Sequence, residues 1–177
     1  MRPATVRLAG VAFVLLAAGS PGLPQGKAET WGSSELGLRI TPPRGWTTVA
    51  NTPLEAVMSP PVGRAKVAVF GLPAGGAGED EPPDIDHVAD GAIDSLRTSF
   101  RKFKLLGRRT MEVAGLPARE IYFRGRVEGE KFRFVQTILL HRDYQVIVMY
   151  MAPEEVYTRL LGDYDQLVRS VRALPRN

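Results

Sequence analysis

Apolar positions change period several times along this chain, and each change marks an element. From Ile85 onward, Ile85, Val88, Ala89, Ala92, Ile93, Leu96, Phe100 and Phe103 recur at steps of three, four or seven. That stripe predicts one helix of about five turns. Asp84 or Asp86 suits its N-terminus, accepting from free amides and complementing the positive helix end. After residue 104 the period falls to two. Residues 116–127 put Arg119, Ile121, Phe123 and Val127 on one face and Glu120, Tyr122, Arg124 and Arg126 on the other. Residues 131–141 alternate likewise, with Phe132, Phe134, Ile138 and Leu140 opposite Val135 and Leu139. Residues 144–151 are apolar on both faces, so layers must cover that strand on both sides. Ala114-Gly115, Glu128-Gly129-Glu130 and Arg142-Asp143 read as the turns between these strands.

A second helical stripe follows Pro153: Val156, Tyr157, Leu160, Leu161, Tyr164, Leu167, Val168 and Val171. Proline suits the first turn, and Glu154 and Glu155 complement the dipole there. Gly162 weakens this helix by up to ~1 kcal/mol. The first half is less regular. Short strands are expected at 38–41, 54–59 and 66–72, and Pro42-Pro-Arg-Gly-Trp46 is a turn delivering Trp46 to the core edge. Pro60-Pro61-Val62-Gly63 is a strong turn, and residues 73–83 form a Gly-rich, then acidic loop. Short hairpin links make the sheet antiparallel. The expected fold is α+β: a mostly antiparallel sheet of six or seven strands between two main helices, an α/β/α sandwich. It is taken as one domain over residues 37–175, after a disordered lead-in at 29–36.

The N-terminus changes the charge picture. Arg2 and Arg7 precede an apolar stretch at residues 8–18. Such a stretch spans roughly 16 Å as a helix, about half a bilayer core. It is therefore read as a signal peptide over residues 1–28, cleaved after Gly19 or Ala28. The full chain carries 23 basic and 19 acidic residues. Removing Arg2, Arg7 and Lys27 leaves 20 basic and 19 acidic, so the exported form is nearly neutral. Nothing global draws it to nucleic acid or to an anionic membrane. There is no cysteine, which excludes disulfides, thiolate metal sites, cysteine nucleophiles and a lipid-modified cysteine.

No catalytic residues are assigned. His141-Arg-Asp143 spells the kinase catalytic tripeptide, but the glycine-rich loop, strand lysine and Asp-Phe-Gly that a kinase needs are missing. There is no Gly-x-Ser-x-Gly elbow, His-Glu-x-x-His or phosphate loop. The acidic run from Glu79 to His87 offers oxygen ligands for calcium or manganese, with Asp84, Asp86 and His87 as the candidates. Pro82-Pro83 splits that run and no calcium-loop spacing appears, so a solvated loop with a helix cap is the favoured reading. Basic residues gather at Arg101-Lys102-Phe103-Lys104, at Arg108-Arg109, and at Arg124, Arg126, Lys131 and Arg133. Strand periodicity puts Arg124 and Arg126 on one face. They are candidates, with Arg133, for docking an acidic partner or anionic lipid. The alternative is a solvated sheet edge whose cations discourage strand addition.

The order of elements resembles the PsbP-like fold, shared with the Ran-binding Mog family and with many bacterial exported proteins. Ile40-Thr-Pro-Pro-Arg-Gly-Trp46 is similar to that family's opening, and Val113-Ala-Gly-Leu-Pro-Ala-Arg-Glu-Ile-Tyr122 to its hairpin. Tyr144-Gln-Val-Ile-Val-Met-Tyr150 matches the penultimate element. Ser170 is followed by Val171, where the family often has an aromatic residue. The resemblance implies a non-enzymatic accessory or docking role. The expectation is thus an exported, periplasmic or extracellular monomer without a cofactor. Its partner is an unidentified protein of a cell-envelope assembly. The alternative is a small-molecule- or metal-dependent enzyme, or a metal-binding protein, using the acidic loop at 79–90.

Overall fold

A computed structural model describes residues 29–61, 63–74 and 84–175. The signal segment expected at 1–28, and residues 75–83 of the acidic loop, lie outside the described residues. The elements run β1 (Trp31–Ser33), β2 (Leu38–Ile40), β3 (Thr47–Thr52), β4 (Glu55–Ser59), β5 (Lys66–Pro73), α1 (Ile85–Ser99), β6 (Arg101–Val113), β7 (Leu116–Val127), β8 (Glu130–His141), β9 (Tyr144–Pro153), α2 (Glu154–Arg169) and β10 (Arg172–Ala173). Seven strands form one sheet in the order β3-β4-β5-β9-β8-β7-β6, and every neighbouring pair is antiparallel. A small three-stranded sheet, β1-β2-β10, stands apart from it.

β9 explains the layering. Val146, Val148, Tyr150 and Ala152 enter one apolar cluster with Tyr157, Leu160, Tyr164, Leu167 and Val168 of α2. Ile147, Met149 and Met151 enter another with Ala89, Ala92, Ile93 and Leu96 of α1. Each large apolar side chain so covered gains about 1.5–3 kcal/mol. The expected α/β/α sandwich is the observed one. Trp46 is fully buried, and its indole N–H donates to Asp163 Oδ2 at 3.1 Å, tying the turn after β2 to α2.

Two hairpins are tight. Ala114-Gly115 and Glu128-Gly129 both carry positive φ at both positions, the two-residue geometry whose twist matches the strands it joins. The first helix is shorter than its stripe implied. It stops at Ser99, and Phe100 is extended at φ −107°, ψ 124°. Residues 101–113 instead pair along β7. The stripe still held at Phe100 and Phe103 because their rings fill the same cluster, Phe100 lying 4.7 Å from Phe134 and Phe103 lying 5.4 Å from Phe123.

The disordered lead-in expected at 29–36 is corrected. Residues 31–33 form β1, and Trp31, Ser33 and Leu36 are buried. Ser33 Oγ accepts from Leu36 N at 2.9 Å and donates to the carbonyl of Pro53. Leu36 fills the space left by the missing side chain of Gly71 on β5, where a Cβ would sit 2.2 Å from its Cδ2. Glycine, serine and proline content signals a loop but says nothing of one apolar anchor. Arg142 locks the same corner, donating to Ser34 O at 2.6 Å and Pro175 O at 3.2 Å.

A fully buried amide is left unsatisfied. Gln136 on β8 is fully buried beneath α1, and neither amide atom has a hydrogen-bond partner among the described residues.

Two stability outcomes follow. Leu36→Ala should cost about 2–5 kcal/mol by urea titration, the range for a buried leucine with partial collapse. A loss under 1 kcal/mol would show that the lead-in contributes no core. Gln136→Leu should raise stability by about 1–3 kcal/mol, the penalty of an unpaired buried amide, and a lower melting midpoint would contradict the assignment.

Candidate functional site

The two faces of the sheet treat their cations differently. On the α1 face they meet acids of the helix. Arg108 pairs with Asp90 at 2.7 Å, and Arg119 grips both carboxylate oxygens of Asp86 at 2.6 and 2.7 Å. On the other face α2 packs on β8 and β9; Val113, Ala118 and Glu120 of β6 and β7 are buried on that side, whereas the opposite end of the two strands, at Arg101, Lys104, Arg124 and Arg126, is exposed. There the strand register lines cations up. Lys104 on β6 faces Arg124 on β7, which faces Arg133 on β8. Next along, Arg101 faces Arg126, which faces Lys131. Directly opposite residues hold their Cβ atoms about 4.5–5.5 Å apart, and like charges so placed oppose folding.

Neighbouring acids do not relieve these rungs. Glu120 is 1% exposed and already accepts from Arg109 at 2.7 Å, Thr137 at 3.1 Å and the Tyr122 hydroxyl. Glu130 pairs with Arg64 at 2.6 Å. Arg133 lies over the Tyr157 ring, 4.4 Å from its centroid, a cation–π seat that orients but does not neutralise it. Arg126 donates to the carbonyl of Gly129 at 3.1 Å. Among the described residues, Arg101, Lys104, Arg124, Arg126 and Lys131 engage no carboxylate.

Arg124, Arg126 and Arg133, singled out from sequence, therefore lie together on this face. Sequence reasoning did not place Lys104 and Arg101 with them. The signal was there in the basic run 101–104, but a helix reaching residue 103 pointed it elsewhere. Also missed was Glu120, whose carboxylate sits beneath the face. Burial, and then its bond to Glu120, push the Tyr122 hydroxyl well above the usual phenol range. Tyr122 thus remains a donor to Glu120, and the cluster reads as a buried carboxylate, held by half-exposed Arg109 and by Tyr122 and Thr137, bracing β6, β7 and β8.

The metal candidates are differently employed. Asp84 caps α1, accepting from Asp86 N at 3.0 Å. The bond from Arg119 holds the Asp86 carboxyl below the usual carboxylate range. His87 is exposed on the first turn of α1. Among the described residues, no three ligating side chains converge.

No family model matches this sequence, and no curated protein matches it. Solved structures do. Cyanobacterial PsbP (CyanoP) from Synechocystis sp. PCC 6803 superposes with a TM-score of 0.61 at 12% identity, covering 89% of this chain and 98% of that one. LpqN of Mycobacterium tuberculosis, described as involved in cell envelope biogenesis, gives 0.61 at 13% identity, over 89% of this chain and 88% of that one. PA94 of Pseudomonas aeruginosa, a protein of unknown function, gives 0.53 at 16% identity, over 86% and 99%. The fold is PsbP-like, as the element order implied.

Stacked like charges leave a stability signature. Arg124→Thr should stabilise the protein at low ionic strength by about 0.2–1 kcal/mol per relieved pair. The gain should shrink as salt shortens the screening length. A melting midpoint that falls, or a gain indifferent to salt, would mean that the rungs carry no repulsion.

Proposed function

We propose that this protein is an exported, non-catalytic accessory protein that docks on an anionic component of a cell-envelope assembly through the open face of β6, β7 and β8. One observation carries the reading: six cations form two like-charged rungs beside α2, with Arg133 seated on its Tyr157 ring and Arg101, Lys104, Arg124, Arg126 and Lys131 exposed. Placing like charges opposite one another costs stability, and a bound anion turns that cost into attraction. A chain near neutrality once its leader is removed gains no such attraction from net charge, so the patch must provide it.

Other features support the setting. The apolar stretch at 8–18 behind Arg2 and Arg7 has the form of an export signal. No described helix is long and apolar enough to cross a membrane. The PsbP-like fold is shared with LpqN, a protein of cell envelope biogenesis. The buried site beneath the face holds a carboxylate already saturated by Arg109, Tyr122 and Thr137, which suits bracing rather than turnover.

The test is capture from envelope extracts. The native protein should enrich a saturable partner, and Arg124→Glu with Arg126→Glu should cut capture roughly tenfold or more. The same reversal at exposed Arg44 and Arg159 should leave it unchanged. Equal loss from both pairs, or no enrichment, would defeat the reading.

A further inference from the structure

The outer edge of the sheet, strand β6, carries a second feature, with Lys104 on the cationic face and Leu105 opposite Phe123 on the α1 side. Leu105 and Leu106 are 37% and 41% exposed, the only large hydrophobic side chains left exposed among the described residues. They occupy the edge strand β6, where the register with β7 slips between Leu105 and Gly107. A bulge disrupts the ladder there and re-aims the side chains around it. Two exposed lysines, Lys102 and Lys104, precede the pair, while Arg108 after it is paired with Asp90. Lys102 itself has a positive φ of 57°, and a second register slip lies between Arg101 and Lys104.

We propose that this edge seats on an anionic phospholipid bilayer, with Leu105 and Leu106 entering the interface and Lys104 and Arg124 meeting the headgroup phosphates. The inference deepens the proposed function and rests on its reading of the cationic face. Two exposed leucines beside exposed lysines and arginines are the composition of an interfacial anchor, which combines apolar insertion with attraction to anionic headgroups. Long basic side chains reach the phosphates while their stems lie along the apolar boundary. An extended peptide suits the edge poorly. Two register slips and a row of lysines and arginines interrupt the backbone pattern that strand addition needs. A bilayer makes no demand on that pattern. The chain also has no cysteine to carry a lipid, so membrane residence after leader removal falls to the folded surface.

The experiment compares vesicles of phosphatidylcholine alone with vesicles of phosphatidylcholine and phosphatidylglycerol in equal parts, by co-sedimentation of the full chain. The basic, apolar N-terminal stretch is common to every variant, so comparison with the Arg124→Glu, Arg126→Glu chain separates its contribution from that of the folded face. Affinity should be roughly tenfold or more higher for the anionic vesicles at low salt, and the preference should fade as salt rises. Arg124→Glu with Arg126→Glu should remove the preference, and Leu105→Ser with Leu106→Ser should weaken anionic binding by about threefold or more. Because the chain has no cysteine, Leu106→Cys gives a single attachment point for an environment-sensitive fluorophore. Its emission should shift to the blue and brighten on anionic vesicles, while the same label at Thr158→Cys on α2 should not respond. Anionic binding untouched by the leucine changes, with no emission shift, would overturn the inference. So would equal binding to both vesicles; if an envelope protein were still captured in an Arg124- and Arg126-dependent way, the proposed function would stand without it. Loss of both results would end both.

Discussion

A single strand that can touch water on neither side governs the architecture. β9 presents Val146, Val148 and Tyr150 one way and Ile147, Met149 and Met151 the other, and all six are buried. Such a strand is satisfied only in the interior of a sheet with a layer on each face. α2 directly follows it in sequence and folds back over β8 and β9. α1 is brought to the opposite face between β5 and β6. With two helices and seven strands, coverage runs out, and one end of β6 and β7 is left exposed on the α2 side while Val113, Ala118 and Glu120 at the other end are buried. That exposed end is thus a consequence of element number, and its cations are what the sequence places where no helix reaches.

The sandwich was legible because it is written in local periods. The double-sided pattern of 144–151 gave both layers, and the stripes of the two helices gave what lines them. Phe100 and Phe103 misled for a physical reason. An apolar residue serves the same cluster from a helix end or from a strand beside it, so spacing alone did not locate the end of α1 at Ser99. β1 and β10 were invisible because three- and two-residue strands carry no period. Their order comes from long-range fixtures: Leu36 against Gly71, Arg142 against Ser34, and the pairing of Arg172 with Arg39.

The site was half legible. Alternation put Arg124 and Arg126 on one face of one strand. That Arg124 stands between Lys104 and Arg133 is a matter of register, which turn geometry and the buried face of each strand set together. Here the hairpins Ala114-Gly115 and Glu128-Gly129 fix it, and a slip of one residue would scatter the cations over both faces. Glu120 was unreadable as a buried group, since nothing local distinguishes it from the exposed acids around it. Its role follows from Arg109, Tyr122 and Thr137, which arrive from three strands.

Strand order also bears on how such a chain is made. β6 to β9 are successive hairpins and can form from neighbours alone. β5, by contrast, must find β9 across about 70 to 85 intervening residues before the two halves of the sheet join. The closing seam therefore stays open until nearly the whole polypeptide is present. The β3-β4-β5 meander can also form from neighbours, and β9, the last strand of the large sheet in the chain, supplies the edge on which that meander condenses.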